Sequence, residues 1–242
     1  MRIALPILLM TALLALAHRP PRRDPLPEFP RIMIWAWERP EKLDFINPRE
    51  AGVGFLGRTV QVRGDLVTVR PRRQPLLVAP GTALMAVVRV ESQQPAMSSR
   101  FKVEHAILEA ADFEGFRALQ IDYDAKVSER DFYRALVVDL RRVLPSSMPL
   151  SITALASWCE SDGWISGLPV NEAVPMLFRM GAGETYRAGD DFRSNLCKTS
   201  MGISTDEPLA EVPHGRRIYI FHPRSWSQNE LQAAVQEVKR WQ

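Results

Sequence analysis

Short apolar runs rich in β-branched residues recur along the chain, separated by loops and by segments with helical spacing. Several runs are continuous rather than alternating, as in the five apolar residues at 84–88. Continuous runs are typical of strands that are covered on both faces, as they are in parallel sheets. The pattern predicts eight strands, at residues 31–37, 53–60, 83–91, 117–123, 150–156, 173–180, 200–204 and 217–221.

Three of the intervening segments have the spacing of amphipathic helices. The first has apolar residues at 103, 106, 107 and 110, and the second has them at 132, 136, 140 and 144, with Ser128 as its predicted N-cap. The third begins with the capping box Ser227-x-x-Glu230. Between the second and third strands, the segments 59–62 and 66–69 flank Gly64 and predict a β-hairpin in place of a helix.

Eight strands joined mostly by helices predict an α/β fold, a (β/α)8 TIM-type barrel with a β-hairpin insertion after strand 2. A doubly wound open sheet is the alternative, because one sequence does not give the order of the strands. With 242 residues the chain is long enough for a single barrel domain over residues 31–242. A barrel of this kind gathers its site at the C-terminal ends of its strands.

The first 17 residues have the features of a signal peptide. Arg2 supplies a positive charge, residues 3–17 are apolar, and the end of this run, at 15–17, is an A-x-A cleavage pattern. The run is short for a bilayer span, so no span is expected after signal removal, and an uncleaved anchor is the alternative. Residues 18–30 are rich in Pro and Arg and are expected to form a disordered linker. These features predict export, to the periplasm or the extracellular space.

Export also bears on the two cysteines of the chain, Cys159 and Cys197. Thiols of exported proteins meet an oxidising environment, and an even count favours pairing. One disulfide between the two is therefore predicted, with two buried free thiols as the alternative.

Composition and motifs exclude several classes of function. The net charge of +3 is small and no basic helix with interleaved aromatic residues is present, so nucleic acid is not an expected partner. The four histidines lack the spacing of metal ligands, so no metal and no cofactor are expected. The sequence also contains no G-x-S-x-G elbow, P-loop or dinucleotide fingerprint.

Two carboxylates stand at the end of one predicted strand. Because alternate strand residues share a face, Asp122 and Asp124 should point the same way, about 6.5–7 Å apart along the backbone. Burying unpaired carboxylates costs several kcal/mol, so other groups must hold them. Either they form a polar site or they are an ion-paired strand end, with Arg117 or Lys126 as the partner.

Other polar and aromatic residues also lie at or just past predicted strand ends. In a barrel these ends surround one mouth, so the residues are candidates to line a cavity together with the two aspartates. The acids are Glu38, Glu91, Glu160 and Asp206, and the remaining candidates are Trp37, Trp158, Arg179 and His222.

Four segments occur together in this chain: IWAWERP at 34–40, QIDYDA at 120–125, LSITALASWC at 150–159 and EAVPMLFRMG at 172–181. Together they resemble a family of exported bacterial proteins, a domain of unknown function related to the TIM-barrel glycoside hydrolases. The resemblance covers most of the chain that follows the signal peptide. It implies a barrel fold and a relationship to the glycoside hydrolase superfamily, with no established substrate.

The acidic strand end also resembles part of the Asp-x-x-Asp-x-Asp-x-Glu motif of chitinase-type hydrolases. Asp122 and Asp124 fall on its second and third acidic positions. Leu119 falls on the first acidic position, and Lys126 stands where the catalytic Glu belongs. This chain therefore departs from the chitinase mechanism, and any general acid must come from another position.

The glycoside hydrolase resemblance implies two carboxyls that flank the scissile bond, one protonated and one ionised. Repulsion between Asp122 and Asp124 should raise the pKa of one of them. Asp124, nearer the rim, is the expected acid, Asp122 its orienting partner, and Glu91 the favoured base or nucleophile. The expected substrate-binding residues are Glu38, Trp37, Trp158, Arg179 and His222, with the two tryptophans stacking on sugar rings.

Three functions remain open at this point. The first is a glycoside hydrolase that acts on a cell-envelope or environmental carbohydrate. The second is a carbohydrate-binding barrel without catalysis, which Lys126 favours. The third is an envelope interaction protein whose acids pair with arginines. Binding of soluble glycans separates the third from the others, and turnover separates the first from the second.

Overall fold

The computed structural model describes residues 24–112, 115–180, 192–208 and 214–240. Within these ranges the chain forms eleven strands and three α-helices. The strands are β1 (Ile32–Ala36), β2 (Glu41–Leu43), β3 (Ala51–Arg63), β4 (Leu66–Pro71), β5 (Leu76–Val78), β6 (Leu84–Gln93), β7 (Phe116–Asp122), β8 (Leu150–Leu155), β9 (Glu172–Met176), β10 (Ser200–Ser204) and β11 (Arg217–Phe221). The helices are α1 (Arg100–Leu108), α2 (Arg130–Val143) and α3 (Gln228–Lys239).

Eight of the strands form a closed barrel in which neighbouring strands are parallel. Their order is β1, β11, β10, β9, β8, β7, β6 and β3, and β3 pairs back to β1. Each of the eight predicted strands is present, and β10 and β11 have the predicted bounds. Closure through β1 and β3 excludes the doubly wound open sheet.

Alternate residues of the barrel strands face the lumen and the outer layer. Met33, Trp35, Met85, Val87 and Tyr219 belong to one buried cluster that fills the lumen. The residues between them pack outward in a second, larger core that includes the apolar faces of the helices. Burial on both faces is the reason why the strand sequences are continuous apolar runs.

The lumen is packed so tightly that two strand positions require glycine. A Cβ atom at Gly52 would lie 2.6 Å from Sδ of Met33, and one at Gly202 would lie 2.7 Å from Sδ of Met176. Real Cβ atoms do not approach other atoms this closely, so a side chain at either position would displace a methionine. A ligand is therefore confined to an end of the barrel.

The described ranges contain far fewer helices around the barrel than a (β/α)8 pattern requires. Helices α1, α2 and α3 follow β6, β7 and β11, while the other connections in the described ranges consist of turns, short strands and a hairpin. The expectation of mostly helical returns is therefore wrong. None of the helices in these ranges is both long and apolar enough to cross a bilayer.

Two local predictions about these connections have opposite outcomes. The hairpin is confirmed, since β3 and β4 pair antiparallel from Arg63 with Leu66 to Arg58 with Pro71. Ser128 is not the N-cap of α2, because a 3-10 turn at Val127–Glu129 precedes the helix. The carboxylate of Glu129 instead accepts a hydrogen bond of 3.0 Å from the N–H of Lys126.

Residues 24–30 pack on the N-terminal end of the barrel. Leu26 and Phe29 are buried there, and Asp24 lies 3.1 Å from the buried guanidinium of Arg217. The expected disorder of the linker is therefore wrong for residues 24–30, because two apolar side chains and one acid anchor a segment that is polar on average. The predicted signal peptide at 1–17 and the predicted linker residues 18–23 lie outside the described residues.

Arg217 also joins a polar network inside the lower part of the lumen. Its Nη1 atom lies 3.8 Å from Oε2 of Glu172, and both side chains are fully buried. Glu172 accepts hydrogen bonds from the hydroxyl groups of Tyr219 and Ser151. Ser151 in turn accepts a hydrogen bond of 2.8 Å from Nε2 of Gln120. These groups stabilise the closed end of the barrel, opposite to the strand ends where Asp122 lies.

Cys159 and Cys197 form a disulfide with their Cα atoms 5.8 Å apart. Cys159 lies in the π-helical turn after β8, and Cys197 ends the 3-10 turn that precedes β10. The bond therefore joins the connection after β8 to the connection before β10.

Candidate functional site

Asp122 lies at the C-terminal end of β7 and faces the mouth of the barrel. The strand period places it on the same face as Ala118, whose side chain is in the lumen cluster. One carboxylate oxygen accepts a hydrogen bond of 3.0 Å from Oγ1 of Thr153, and the other lies 3.5 Å from Nη1 of Arg89. Only 13% of the side chain is exposed.

This environment favours the protonated form of Asp122. Burial raises its pKa from 3.8 to about 6, and the charges of Asp124 and Glu91 add to the increase. The Arg89 guanidinium and the Thr153 hydroxyl act in the opposite direction, but they do not cancel the loss of solvation. Asp122 is therefore close to half-protonated near pH 6.

Glu91 contacts the same guanidinium from a position two residues further along β6. Its Oε1 lies 3.2 Å from Nε of Arg89, and its Oε2 accepts a hydrogen bond of 3.0 Å from Nε2 of Gln61. Arg89 therefore lies between the carboxylates of Asp122 and Glu91. The structure brings Asp122, Asp124 and Glu91 together at one side of the mouth, and Asp124 is the exposed member of the two aspartates.

The ion-pair partner of the strand end is not the one predicted. Arg117 and Lys126 are both exposed, and it is Arg89 on β6 that pairs with Asp122. The parallel register sets Arg89 directly beside Asp122. A sequence without known strand pairing does not reveal this neighbour.

Aromatic rings form the other side of the mouth. The Phe221 ring centroid lies 4.8 Å from that of Phe178 and 6.2 Å from that of Trp37, and Trp35 stacks beneath Phe221 at 4.4 Å. These rings border a cleft of about 240 Å³ that Trp37, Phe178 and Phe221 line. The guanidinium of Arg89 lies 6.0 Å from the Trp37 ring centroid, so the acidic and aromatic sides adjoin.

Three of the predicted substrate-binding residues, Trp37, Arg179 and His222, line this cleft. The His222 ring stacks on Trp226 with centroids 4.5 Å apart, and its Nδ1 lies 2.6 Å from Oγ1 of Thr205. Burial lowers the pKa of His222, so its ring is a neutral wall of the cleft at neutral pH. Arg179, in contrast, keeps an exposed side chain.

Glu38 and Trp158 do not line the cleft. Glu38 lies 3.7 Å from Nε of Arg70 and accepts a weak hydrogen bond from the N–H of Arg73, so it ties the end of β1 to the hairpin. Trp158 is 2% exposed and packs edge-on against Trp164 in the outer core. The prediction that Trp158 stacks on a sugar is wrong, because neither face of its ring is accessible.

Two further acids that were considered as the base lie outside the acidic cluster. Glu160 is exposed on the π-helical turn that carries the disulfide. Asp206 accepts a hydrogen bond from Ser204, which lowers its pKa, and it lies 3.8 Å from Nη2 of Arg179. Among the candidate bases, Glu91 is the one that shares a partner with Asp122.

Sequence reasoning missed Arg72, which fixes the strand ends at the mouth. Its Nη1 donates hydrogen bonds to the carbonyls of Trp37 at 2.7 Å and Leu56 at 3.3 Å, and its Nη2 donates to the carbonyl of Arg39 at 2.7 Å. Burial lowers the pKa of Arg72, although Glu41 and Glu38 oppose the effect. In the sequence, Arg72 belongs to a run of basic residues that resembles solvated surface.

In the described part of the chain, no group of three or more His, Cys, Asp or Glu side chains is arranged to hold a metal ion. No curated protein and no solved structure matches the chain. Residues 80–174 match the family described as a domain of unknown function (DUF3142). The matched segment contains Arg89, Glu91, Asp122 and Thr153, whereas Trp37 and Phe221 lie outside it.

Proposed function

We propose that the protein is an exported, glycoside hydrolase-like barrel of the TIM type that cleaves a cell-envelope or environmental carbohydrate at its mouth. The observation that carries the proposal is Asp122, a carboxyl with a pKa of about 6 in a cluster of acids that adjoins an aromatic cleft. Glycosidic cleavage needs a carboxyl that holds a proton near neutral pH beside one that does not.

In the proposed reaction, protonated Asp122 donates its proton to the glycosidic oxygen as the bond to the anomeric carbon breaks. A second carboxylate, Glu91 or Asp124, either attacks the anomeric carbon or removes a proton from an attacking water. The rings of Trp37, Phe178 and Phe221 supply apolar faces against which a sugar ring packs. A pKa near the working pH lets Asp122 give up its proton and regain it in the next cycle.

This assignment exchanges the roles that the sequence suggested for the two aspartates. Asp124 was the expected acid because it is nearer the rim, and the structure leaves its side chain exposed. Asp122 is buried against Thr153 and the lumen, and burial is the largest contribution to its raised pKa. The deeper carboxyl is therefore the better proton donor.

A second candidate function is carbohydrate binding without turnover. Arg89 favours it, because its guanidinium pairs with both Asp122 and Glu91 and so occupies the space between the two carboxyls. Lys126, which stands where chitinase-type hydrolases have their catalytic Glu, favours it as well. In this case the cleft would hold a glycan, and the acids would fix its orientation.

The test is to assay the purified protein with its disulfide formed for binding to a glycan panel and for release of reducing ends. For a hydrolase, Asp122→Asn should abolish turnover and preserve binding, since Asn keeps the volume and loses the proton. Asp44→Asn, an exposed acid beside Lys42, is the matched control and should change neither quantity. Binding without release in the parent protein would leave the second function, and absence of both would refute the proposal.

A pair of tryptophan variants separates the cleft from the core in the same assays. Trp37→Ala should lower glycan affinity about tenfold or more, because a sugar-facing ring is lost, and should leave the fold intact. Trp158→Ala should lower stability by about 3–5 kcal/mol without a specific loss of affinity in the remaining folded protein. Equal loss of affinity in both variants would mean that the cleft is not the binding site.

A further inference from the structure

The charged side chains that line the aromatic cleft are basic. Arg39 and Arg179 border it together with Trp37, Phe178 and Phe221, and no carboxylate belongs to the described lining. Asp122 and Glu91 lie on the opposite side, against Arg89, and Asp206 and Glu207 lie next to Arg179 without lining the cleft. A ligand in the cleft therefore meets guanidinium groups and aromatic rings rather than carboxylates.

The two arginines of the cleft differ in how their donors are used. Arg39 is committed, since it donates hydrogen bonds to Glu41 at 2.9 Å and to the carbonyls of Pro223 and His222 at 2.7 and 2.8 Å. Arg179 has an ion-pair partner in Asp206, but at 3.8 Å, beyond hydrogen-bond distance, and 70% of its side chain is exposed. Among the described residues the guanidinium group of Arg179 makes this ion pair and no hydrogen bond, so its donors can bind a ligand.

The backbone at Arg179 is strained in a way that directs this side chain to the cleft. Its φ angle is 53°, in the left-handed region that costs a non-glycine residue about 1–3 kcal/mol. The N–H of Arg179 donates a hydrogen bond of 2.9 Å to Oε1 of Glu207, which holds this conformation. In an extended chain, consecutive side chains point to opposite faces. The left-handed turn lets Phe178 and Arg179 line the same cleft.

We infer that the cleft selects an acidic saccharide, one whose carboxylate, sulfate or phosphate group pairs with the guanidinium of Arg179. The inference rests on the proposed carbohydrate function and adds the charge class of the ligand. Guanidinium groups bind planar and tetrahedral oxyanions through two parallel hydrogen bonds, which gives them an advantage over lysine at such sites. Aromatic rings beside the arginine supply the apolar surface for the sugar ring.

The experiment is a binding measurement on a glycan array that contains matched pairs. Each pair holds an acidic glycan and its neutral form: oligogalacturonides with their methyl esters, sialylated glycans with desialylated ones, and sulfated glycans with desulfated ones. We expect at least one acidic member to bind ten times or more tightly than its partner, with an affinity that falls as salt is raised. Arg179→Ala should abolish the preference, and Arg179→Lys should keep only part of it.

Two controls separate the guanidinium from net charge and from backbone strain. Arg224→Ala removes an exposed arginine that pairs with Glu230 near the mouth but does not line the cleft, and it should keep the preference. Arg179→Gly relieves the backbone strain and removes the guanidinium group, so it should lose the preference for acidic glycans as Arg179→Ala does.

The outcomes of the array show whether the inference fails alone or together with the proposed carbohydrate function. Neutral members that bind as tightly as their acidic partners would overturn the inference and still support the proposed function. A preference for acidic members that survives in Arg179→Ala would also overturn the inference. Failure of every glycan to bind the folded parent protein would overturn the inference and the proposed function together.

Discussion

Replacing Asp122 by Asn should stabilise the protein at neutral and alkaline pH and leave its stability at pH 3 unchanged. In the folded protein, burial raises the pKa of Asp122 from 3.8 to about 6. Between these two values the folded state binds a proton that the unfolded state has lost. The free energy of unfolding therefore falls as the pH rises through this window. Asn imitates the protonated carboxyl at every pH, so the variant avoids this loss.

The magnitude follows from the two pKa values. One pKa unit corresponds to about 1.4 kcal/mol, so ionisation of Asp122 costs the folded state about 3 kcal/mol by pH 8. The side chain is only 13% exposed, so little solvent screening reduces this value. The ion pair with Arg89 is already included, because the guanidinium is one of the groups that set the pKa. For a domain of this size, the difference corresponds to roughly 6–12 °C in the melting temperature.

The assay is urea unfolding of the parent protein and of the Asn variant, with the disulfide intact, at several pH values between 3 and 8. The difference between the two free energies of unfolding should be near zero at pH 3 and should reach about 3 kcal/mol at pH 8. Taking the difference cancels the contributions of other titrating groups that the substitution does not touch. Asp44→Asn, which removes an exposed carboxylate, should show no such increase with pH in its difference from the parent.

Two results would refute the reasoning. A difference that stays constant from pH 3 to pH 8 would mean that Asp122 titrates alike in the folded and unfolded states, and its role as proton donor would lose its basis. An Asn variant that is less stable than the parent at pH 8 would mean that the ion pair with Arg89 outweighs the lost solvation.

Three further predictions concern the neighbours of the site and the frame of the barrel. Arg89→Met should move the pH at which the difference between the parent and Asn series stops growing to a value above 6, because the guanidinium lowers the pKa of folded Asp122; the same unfolding series in the Met background measures it. Replacing both cysteines by serine should cost about 4 kcal/mol of unfolding free energy in urea melts, since the bond closes a loop of 38 residues. Asp24→Asn should cost about 2 kcal/mol in the same melts, because it weakens a pair with the fully buried Arg217, whereas the exposed Glu28→Gln in the same segment should be neutral.

Much of the barrel could be predicted from the sequence because its strands are buried on both faces. Continuous apolar runs of this kind are seldom found outside parallel sheets, and the runs at 200–204 and 217–221 even have the observed bounds. The structures of the connections were harder to predict, because they depend on contacts with residues that are distant in the sequence. The π-helical turn after β8 is held by a disulfide to a distant turn, and no local periodicity encodes that contact.

The direction of Asp122 could be predicted, whereas its partners could not. A period of two residues fixes which strand positions face the lumen, and it placed Asp122 at the mouth. Arg89 and Thr153 meet Asp122 only through the register of β7 with its two neighbours, which depends on the closure of the whole barrel. Residues 24–30 present the same difficulty, since their contact with Arg217 joins positions 193 residues apart in the chain.

The two aspartates show why direction alone does not assign a chemical role. Both stand on one strand face in the sequence, and proximity to the rim suggested Asp124 as the acid. A carboxyl keeps its proton where water is excluded, and water is excluded by depth, by Thr153 and by the packed lumen below Asp122. The positive charge of Arg89, which pairs with Asp122, limits the increase in the pKa of this carboxyl. Under the proposed function, the choice between glycan cleavage and glycan binding therefore depends on whether a bound sugar displaces this guanidinium from between Asp122 and Glu91.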